Sequence, residues 1–214
     1  MNRNLLKIIA CISMLTDHIG YVLFPELEVF RIIGRIAMPI FAFFIGEGCL
    51  YTRDKKKYFL RVFLLGTICQ AVYIAESLIT NSGSGFYLNI LLTFSLSIIA
   101  CSAFLNFKDN RKVEGKQKYI STAIWISTVI FILALEGFCQ NSLSIIGTTI
   151  TIDYGIFGIF LPLFVVMNKS RGYKLSGFAI ALLFLGYNYY GFDVKLLAAA
   201  ASIPLLLLYN GKGG

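Results

Sequence analysis

The stretch LLKIIACISMLTDHIGYVLF, residues 5–24, the turn Pro25-Glu26-Leu27-Glu28 and a second apolar run over residues 30–50 decide the fold class. Each run is about 20 residues long, which a helix rising ~1.5 Å per residue needs to cross ~30 Å of hydrocarbon. The short acidic turn makes the two helices adjacent and antiparallel. Asp17 and His18 interrupt the first run, but it resumes at Ile19 and continues to Phe24. Arg3 and Lys7 precede the apolar run containing Ile8 to Leu15 as in a secretory signal, yet no A-x-A-like cleavage site follows, so the segment reads as a retained first helix.

Working outward, further apolar segments fall near 58–79, 86–106, 119–138, 154–168, 175–190 and 193–209, with an earlier start near Leu143 open for the sixth. The expectation is an all-α polytopic membrane helix bundle of about eight transmembrane helices, a single domain over residues 1–214. Composition agrees, since 57% of the 214 residues are hydrophobic and only 14% are charged, against roughly a quarter charged in a soluble domain. No internal repeat, low-complexity tail or soluble appendage is visible, so chemistry is expected within the membrane domain or at its faces.

The net charge of +8 could signal nucleic acid, but the basic residues occupy short blocks between apolar runs. They read instead as topology signals beside anionic headgroups, and no nucleic-acid partner is expected. Arg53-Asp54-Lys55-Lys56-Lys57, Lys108 to Lys118, Lys169-Ser170-Arg171 and Lys212 fall at every second connection. Of nineteen Lys and Arg, only Arg31, Arg35 and Lys195 lie on the other side. Both termini are therefore expected in the cytoplasm. The five cysteines, Cys11, Cys49, Cys69, Cys101 and Cys139, contain no CxxC pair and sit mostly in apolar runs. They read as small hydrophobes, with no metal site or disulfide framework expected. Gly34, Gly46, Gly48, Gly66, Ser95, Ser97, Gly155 and Gly158 would let helices approach closely.

The chemistry concentrates in the first hairpin. His18 and Arg35 each lie about six residues below the outer boundary, roughly 9 Å deep at ~1.5 Å per residue. The turn brings Asp17, His18, Arg31 and Arg35 into one neighbourhood. Ionisable groups at such depth are costly and usually face a cavity or one another, which makes them functional candidates. Arg31 and Arg35 share a helix face, whereas Asp17 and His18 project ~100° apart and cannot easily orient one another, so a simple Asp–His dyad is not assured. Asp17 can pair with an arginine, and Asp153 is a second carboxylate that could approach. His18, the single histidine, can relay a proton near neutral pH; it can equally be a neutral hydrogen-bonding partner between helices. Pro39 should kink the second helix, and Glu47, one turn from its end, could pair with Arg53 or Lys57. Arg53, Lys57 and Arg61 form a basic mouth able to hold phosphates, although simple positive-inside anchoring gives the same pattern.

These residues resemble a known family. The run Leu6-Lys7-Ile8-Ile9-Ala10, then Thr16-Asp17-His18-Ile19-Gly20-Tyr21 and Phe24-Pro25, is similar to the opening of the TraX family, whose conjugal transfer protein is linked to N-terminal acetylation of F-type pilin. The similarity continues through residues 31–43, Glu47-Gly48, Tyr51-Thr52-Arg53, Lys57-Tyr58 and Arg61. Later echoes are Asn89 with Thr93, Asp153-Tyr154-Gly155, and Leu208-Tyr209-Asn210-Gly211-Lys212. The resemblance implies a multi-pass acyltransferase of the bacterial cytoplasmic (inner) membrane, within the transmembrane acyltransferase group, in which a membrane histidine serves acyl-CoA-dependent transfer. The matching positions are His18 with Asp17 and Arg35; Arg31, Glu47, Asn89, Asp153 and Tyr154 are further candidates. The implied donor is acetyl-CoA, its phosphates on Arg53, Lys57 and Arg61. The implied acceptor is a peptide amine, or a small amine or hydroxyl compound, with membrane lipids as surroundings. Two other readings use the same charges: a proton-coupled small-molecule transporter, and a non-enzymatic assembly partner for surface subunits.

Overall fold

The protein is seen in a computed structural model that describes residues 1–80, 86–142, 145, 147, 149–168 and 170–211. Lys169, Lys212, the 81–85 connection and the alternative helix start near Leu143 lie outside the described residues. The chain forms α1 (Arg3–Leu23), α2 (Glu28–Gly34), α3 (Ala37–Tyr51), α4 (Lys55–Thr80), β1 (Phe86–Leu88), α5 (Ile90–Asn110), α6 (Lys116–Gln140), β2 (Ile150–Ile152), α7 (Gly155–Phe160), α8 (Leu163–Met167), α9 (Arg171–Tyr190), α10 (Val194–Ala200) and α11 (Ser202–Leu207).

Among the described residues, five helices are long and apolar enough to cross a membrane: α1, the joined pair α2–α3, α4, α5 and α6. Gly155–Met167 and Val194–Leu207 are shorter apolar helices. The outward faces are greasy, with Ile12, Leu15 and Val22 on α1 and Ile68, Val72 and Ile79 on α4 all more than half exposed. Water would not tolerate such stripes, whereas lipid tails match them. The chain is an all-α membrane protein apart from one pair of short strands among the described residues.

That pair corrects the expected start of the fourth helix at residue 86. β1 and β2 are parallel, with Phe86 opposite Ile150, Tyr87 opposite Thr151 and Leu88 opposite Ile152. All but Leu88 are aromatic or β-branched residues, which suit a pleated surface. The helix begins only after Asn89, whose side chain accepts from the Leu91 and Leu92 backbone N–H groups. Capping the helix N-terminus this way satisfies donors that have no helical carbonyl four residues before them.

Three expected spans are interrupted, each just before a proline. Proline cannot donate to the carbonyl four residues back and its ring presses on that carbonyl. Pro39 therefore breaks the second span at Arg35 and Ile36, between α2 and α3. The expected kink is real, but it falls one turn before the proline. Pro162 separates α7 from α8, and Pro204 follows the break at Ala201 between α10 and α11. At Pro162 the freed Gly158 carbonyl lies 3.3 Å from the Ser97 hydroxyl, which shares its one proton between that carbonyl and the Thr93 carbonyl at 3.1 Å.

The chain divides into two compact units, one made of Met1–Glu47 with Phe164–Gly214 and the other of Gly48–Leu163. The core of the first unit is aromatic. Phe43 meets Phe178 and Tyr209 edge-on at 5.4 and 6.2 Å, and Phe44 meets Tyr209 at 5.5 Å. In the second unit Ala100, Ile132, Cys139, Ile152 and Ile159 make a buried apolar cluster with Trp125 and Leu135 at its edge. All five cysteines are free thiols. Cys49, Cys101 and Cys139 are buried as expected of small hydrophobes, but Cys11 is exposed.

Candidate functional site

The α1–α2 hairpin is closed by small residues. Along α1, Leu6, Ala10, Ser13, Asp17 and Gly20 recur at steps of four, three, four and three, one helical face, and turn inward to varying degree. Ser13 donates to the Ile33 carbonyl at 2.7 Å. A side chain on Gly20 would overlap Phe30, and one on Gly34 would overlap Asp17. The two backbones can approach only because these positions lack a Cβ.

That approach positions the first charge cluster. Asp17 Oδ1 lies 3.5 Å from Arg31 Nε, with both side chains partly shielded. The Arg31 guanidinium also stands 5.3 Å over the Tyr21 ring, a cation–π contact from the next turn of α1. So Asp17 takes an arginine, the alternative the sequence left open, and that arginine is Arg31. Arg35 is half-buried at the helix break, where its N–H closes the last turn of α2 on Ile32. His18 does not join this pair. It is exposed on the face that also carries Leu15 and Val22, because a one-residue step turns a side chain by ~100°. Among the described residues it makes no hydrogen bond or ion pair, so its imidazole is accessible.

Glu47 departs from the pairing expected with Arg53 or Lys57. Its carboxylate is buried, with Oε1 3.3 Å from Lys174 Nζ, Oε2 accepting from the Tyr209 hydroxyl at 3.0 Å, and Arg3 4.0 Å away. Lys174 is 4% exposed and Tyr209 3%. Arg3 is also within reach of the Tyr209 hydroxyl, at 3.4 Å. Burial pushes the Tyr209 phenol up; the Arg3 contact pulls it down, and the Glu47 charge raises it further. Four groups from α1, α3, α9 and the segment after α11 thus meet within one unit. Arg171 adds to it by donating to the Leu207 and Tyr209 carbonyls.

The expected phosphate-binding residues lie in the second unit. Arg53, Lys57 and Arg61 are exposed around the start of α4. Asp54 caps that helix by accepting from the Lys57 N–H at 3.0 Å and pairs with Lys57 Nζ at 3.6 Å. Exposed flexible cations suit an anion that arrives from solution.

Asn89, Asp153 and Tyr154 also belong to the second unit, away from Asp17 along the chain, and they are built into its strand-and-turn region. The Asn89 amide donates to the Gly66 carbonyl at 2.8 Å and to Gln70 Oε1 at 3.0 Å, while Gln70 donates back to the Tyr87 carbonyl. With its oxygen capping α5, every group of this side chain is engaged. The Asp153 backbone N–H reaches the Leu88 carbonyl, and its carbonyl accepts from Thr93 Oγ1 at 2.9 Å. Tyr154, 7% exposed, takes a left-handed conformation with φ of 60° ahead of α7. Among the described residues no three His, Cys, Asp or Glu side chains gather as a metal site would require.

Comparison with known proteins places the sequence in a family. The family described as TraX protein matches residues 2–214. The chain belongs to the TraX family. It is 36% identical over 140 residues to an uncharacterized protein of Rickettsia prowazekii, covering 64% of this chain and 54% of that one. It is 33% identical over 116 residues to the probable fimbrial assembly protein FimC, serogroup H1, of Dichelobacter nodosus, covering 47% and 48%. The matches span about half the length of these curated relatives. No solved structure matches.

Several residues of this TraX family member escaped sequence reading. Lys174, Tyr209 and Arg3 hold Glu47, yet each looks like an ordinary end-of-helix residue in the sequence. Glu136 is 8% exposed in the middle of an apolar run and touches Gly155, whose φ is +46°; Gln140 donates to it at 3.4 Å. The one signal available for Glu136 was an acidic residue inside a 25-residue helix otherwise free of charge after Lys118.

Proposed function

We propose that this TraX family member is an integral membrane acyltransferase that transfers an acetyl group from cytosolic acetyl-CoA to an extracytoplasmic amine. The observation that carries the reading is membership of a family whose resemblance implies histidine-dependent acyl transfer, in a chain whose single histidine stands accessible beside a carboxylate held by Arg31. The fimbrial assembly name of the Dichelobacter relative supports a pilin-like membrane peptide as acceptor, its N-terminus supplying the amine. The proposed setting is the bacterial inner membrane, with about eight crossings and both termini in the cytoplasm, following the one-sided distribution of Lys and Arg.

In this reading Arg53, Lys57 and Arg61 hold the CoA phosphates. The acceptor α-amine, with an ordinary pKa of ~8, attacks the thioester carbonyl. As the C–N bond forms, His18 accepts the proton leaving the nitrogen. Arg35 stabilises the oxyanion, whose collapse breaks the C–S bond. The CoA thiolate leaves and the proton on His18 neutralises it. Asp17, held by its ion pair with Arg31, fixes the turn of α1 that carries His18.

The test is transfer of radiolabel from acetyl-CoA to membrane peptides by purified protein in liposomes, wild type against His18→Ala. Label transferred by the wild type and lost in a folded mutant supports the reading. Transfer unaffected by the mutation, or absent with a broad acceptor mixture, overturns it.

A further inference from the structure

A cavity of about 310 Å³ opens at the turn end of the hairpin in the first unit, lined by Tyr21, Pro25, Glu28, Arg31 and Lys195. Two of its walls are unusual for the sequence as a whole. Of nineteen Lys and Arg, only three depart from the alternating basic connections, and two of these, Arg31 on α2 and Lys195 on α10, meet here although 164 positions apart. Arg31 is already balanced by Asp17 at 3.5 Å. Lys195 and Glu28 are not balanced: both line the cavity, yet among the described residues neither makes an ion pair. A cation and an anion that share a cavity without pairing form two separate charge contacts for a ligand that carries both signs.

The surroundings identify the source of such a ligand. Val22, Leu23, Leu27 and Phe192 near this end are between 50% and 92% exposed. Apolar side chains beside a charged cavity at a helix end are what the boundary between headgroups and acyl chains demands. We propose that this cavity is a binding site for a zwitterionic aminophospholipid headgroup, its phosphate on Lys195 and Arg31 and its primary ammonium on Glu28. The ring of Tyr21 closes the remaining side. The inference does not rest on acyl transfer, and it holds whether or not the protein acetylates anything.

The experiment is lipid retention. Purified protein is equilibrated with vesicles of equal phosphatidylethanolamine, phosphatidylcholine and phosphatidylglycerol, then released into mild detergent and its bound lipid quantified by native mass spectrometry. Phosphatidylethanolamine should be retained over the other two by roughly three- to tenfold, the scale of a pair of half-exposed charge contacts. Glu28→Gln should erase its advantage over phosphatidylglycerol, which lacks the ammonium. Lys195→Gln should lower retention of both. Circular dichroism confirms that each variant is folded; both positions line the cavity. Equal retention of the three lipids, or retention that neither variant changes, overturns the proposal. Competition by free O-phosphoethanolamine without lipid retention keeps the chemistry but overturns the lipid as its source.

Discussion

Lys174 Nζ stands 3.3 Å from Glu47 Oε1 across 127 positions of sequence, and both side chains are more than nine-tenths buried. An ion pair so placed gains strong attraction only by giving up the hydration of both charges. Its consequence for stability is asymmetric. Glu47→Ala strands a buried ammonium and should cost ~3–5 kcal/mol, whereas replacing both partners with apolar residues of similar size, Glu47→Leu with Lys174→Met, should cost far less. Thermal unfolding in detergent of Glu47→Ala and of the double variant, each against the wild type, measures the difference.

Tyr209 gives this network a pH dependence. Its phenol is raised above the ordinary 10.0, chiefly by burial. The unfolded chain loses this proton first, so between the ordinary value and the raised one the unfolded state binds fewer protons than the folded state. The stability contribution is complete below pH 10 and falls as pH rises through the folded value. Melting temperature should therefore drop with alkaline pH more steeply in the wild type than in Tyr209→Phe. At neutral pH, Tyr209→Phe should itself cost ~1.5–3 kcal/mol, the scale of a hydrogen bond to a charged group.

Gly34 should be intolerant of even one methyl group. An added Cβ collides with the Asp17 side chain, so Gly34→Ala must part α1 from α2 or push Asp17 off Arg31. A loss of ~1–3 kcal/mol, the usual scale of overpacking, is expected. Gly137 in α6 is the control, since nothing lies within 4 Å of its added Cβ. Gly137→Ala should be neutral or stabilise by ~0.5–1 kcal/mol through helix propensity. Paired melting curves decide both.

Ser97 and Pro162 should be coupled. Ser97→Ala leaves the Gly158 carbonyl without the donor that proline denies it, at a cost of ~1–3 kcal/mol. Adding Pro162→Ala supplies a backbone N–H at the right place. The double variant should then be more stable than the sum of the two single changes, a coupling a double-mutant cycle reads directly.

The membrane-embedded helical class was legible in the sequence, because hydrocarbon thickness sets the length of an apolar run and backbone groups in lipid must bond within their own helix. The separation of His18 from Asp17 was legible too, since helical pitch alone fixes the angle between neighbours. So was the kink of the second span, though not its place: the clash falls on the carbonyl four residues before Pro39, which puts the break at Arg35. Only the tertiary structure decided that Arg31 is the partner of Asp17, that Lys174, Tyr209 and Arg3 hold Glu47, and that Lys195 shares a cavity with Arg31. The Glu47 and Lys195 pairings join residues far apart in the chain, and the choice of Arg31 for Asp17 depends on how two adjacent helices are rotated against each other, neither of which periodicity along one stretch of sequence encodes. The β1–β2 pair escaped for the same reason: three apolar residues carry no period of their own, and their hydrogen bonds lie with a partner more than sixty residues away.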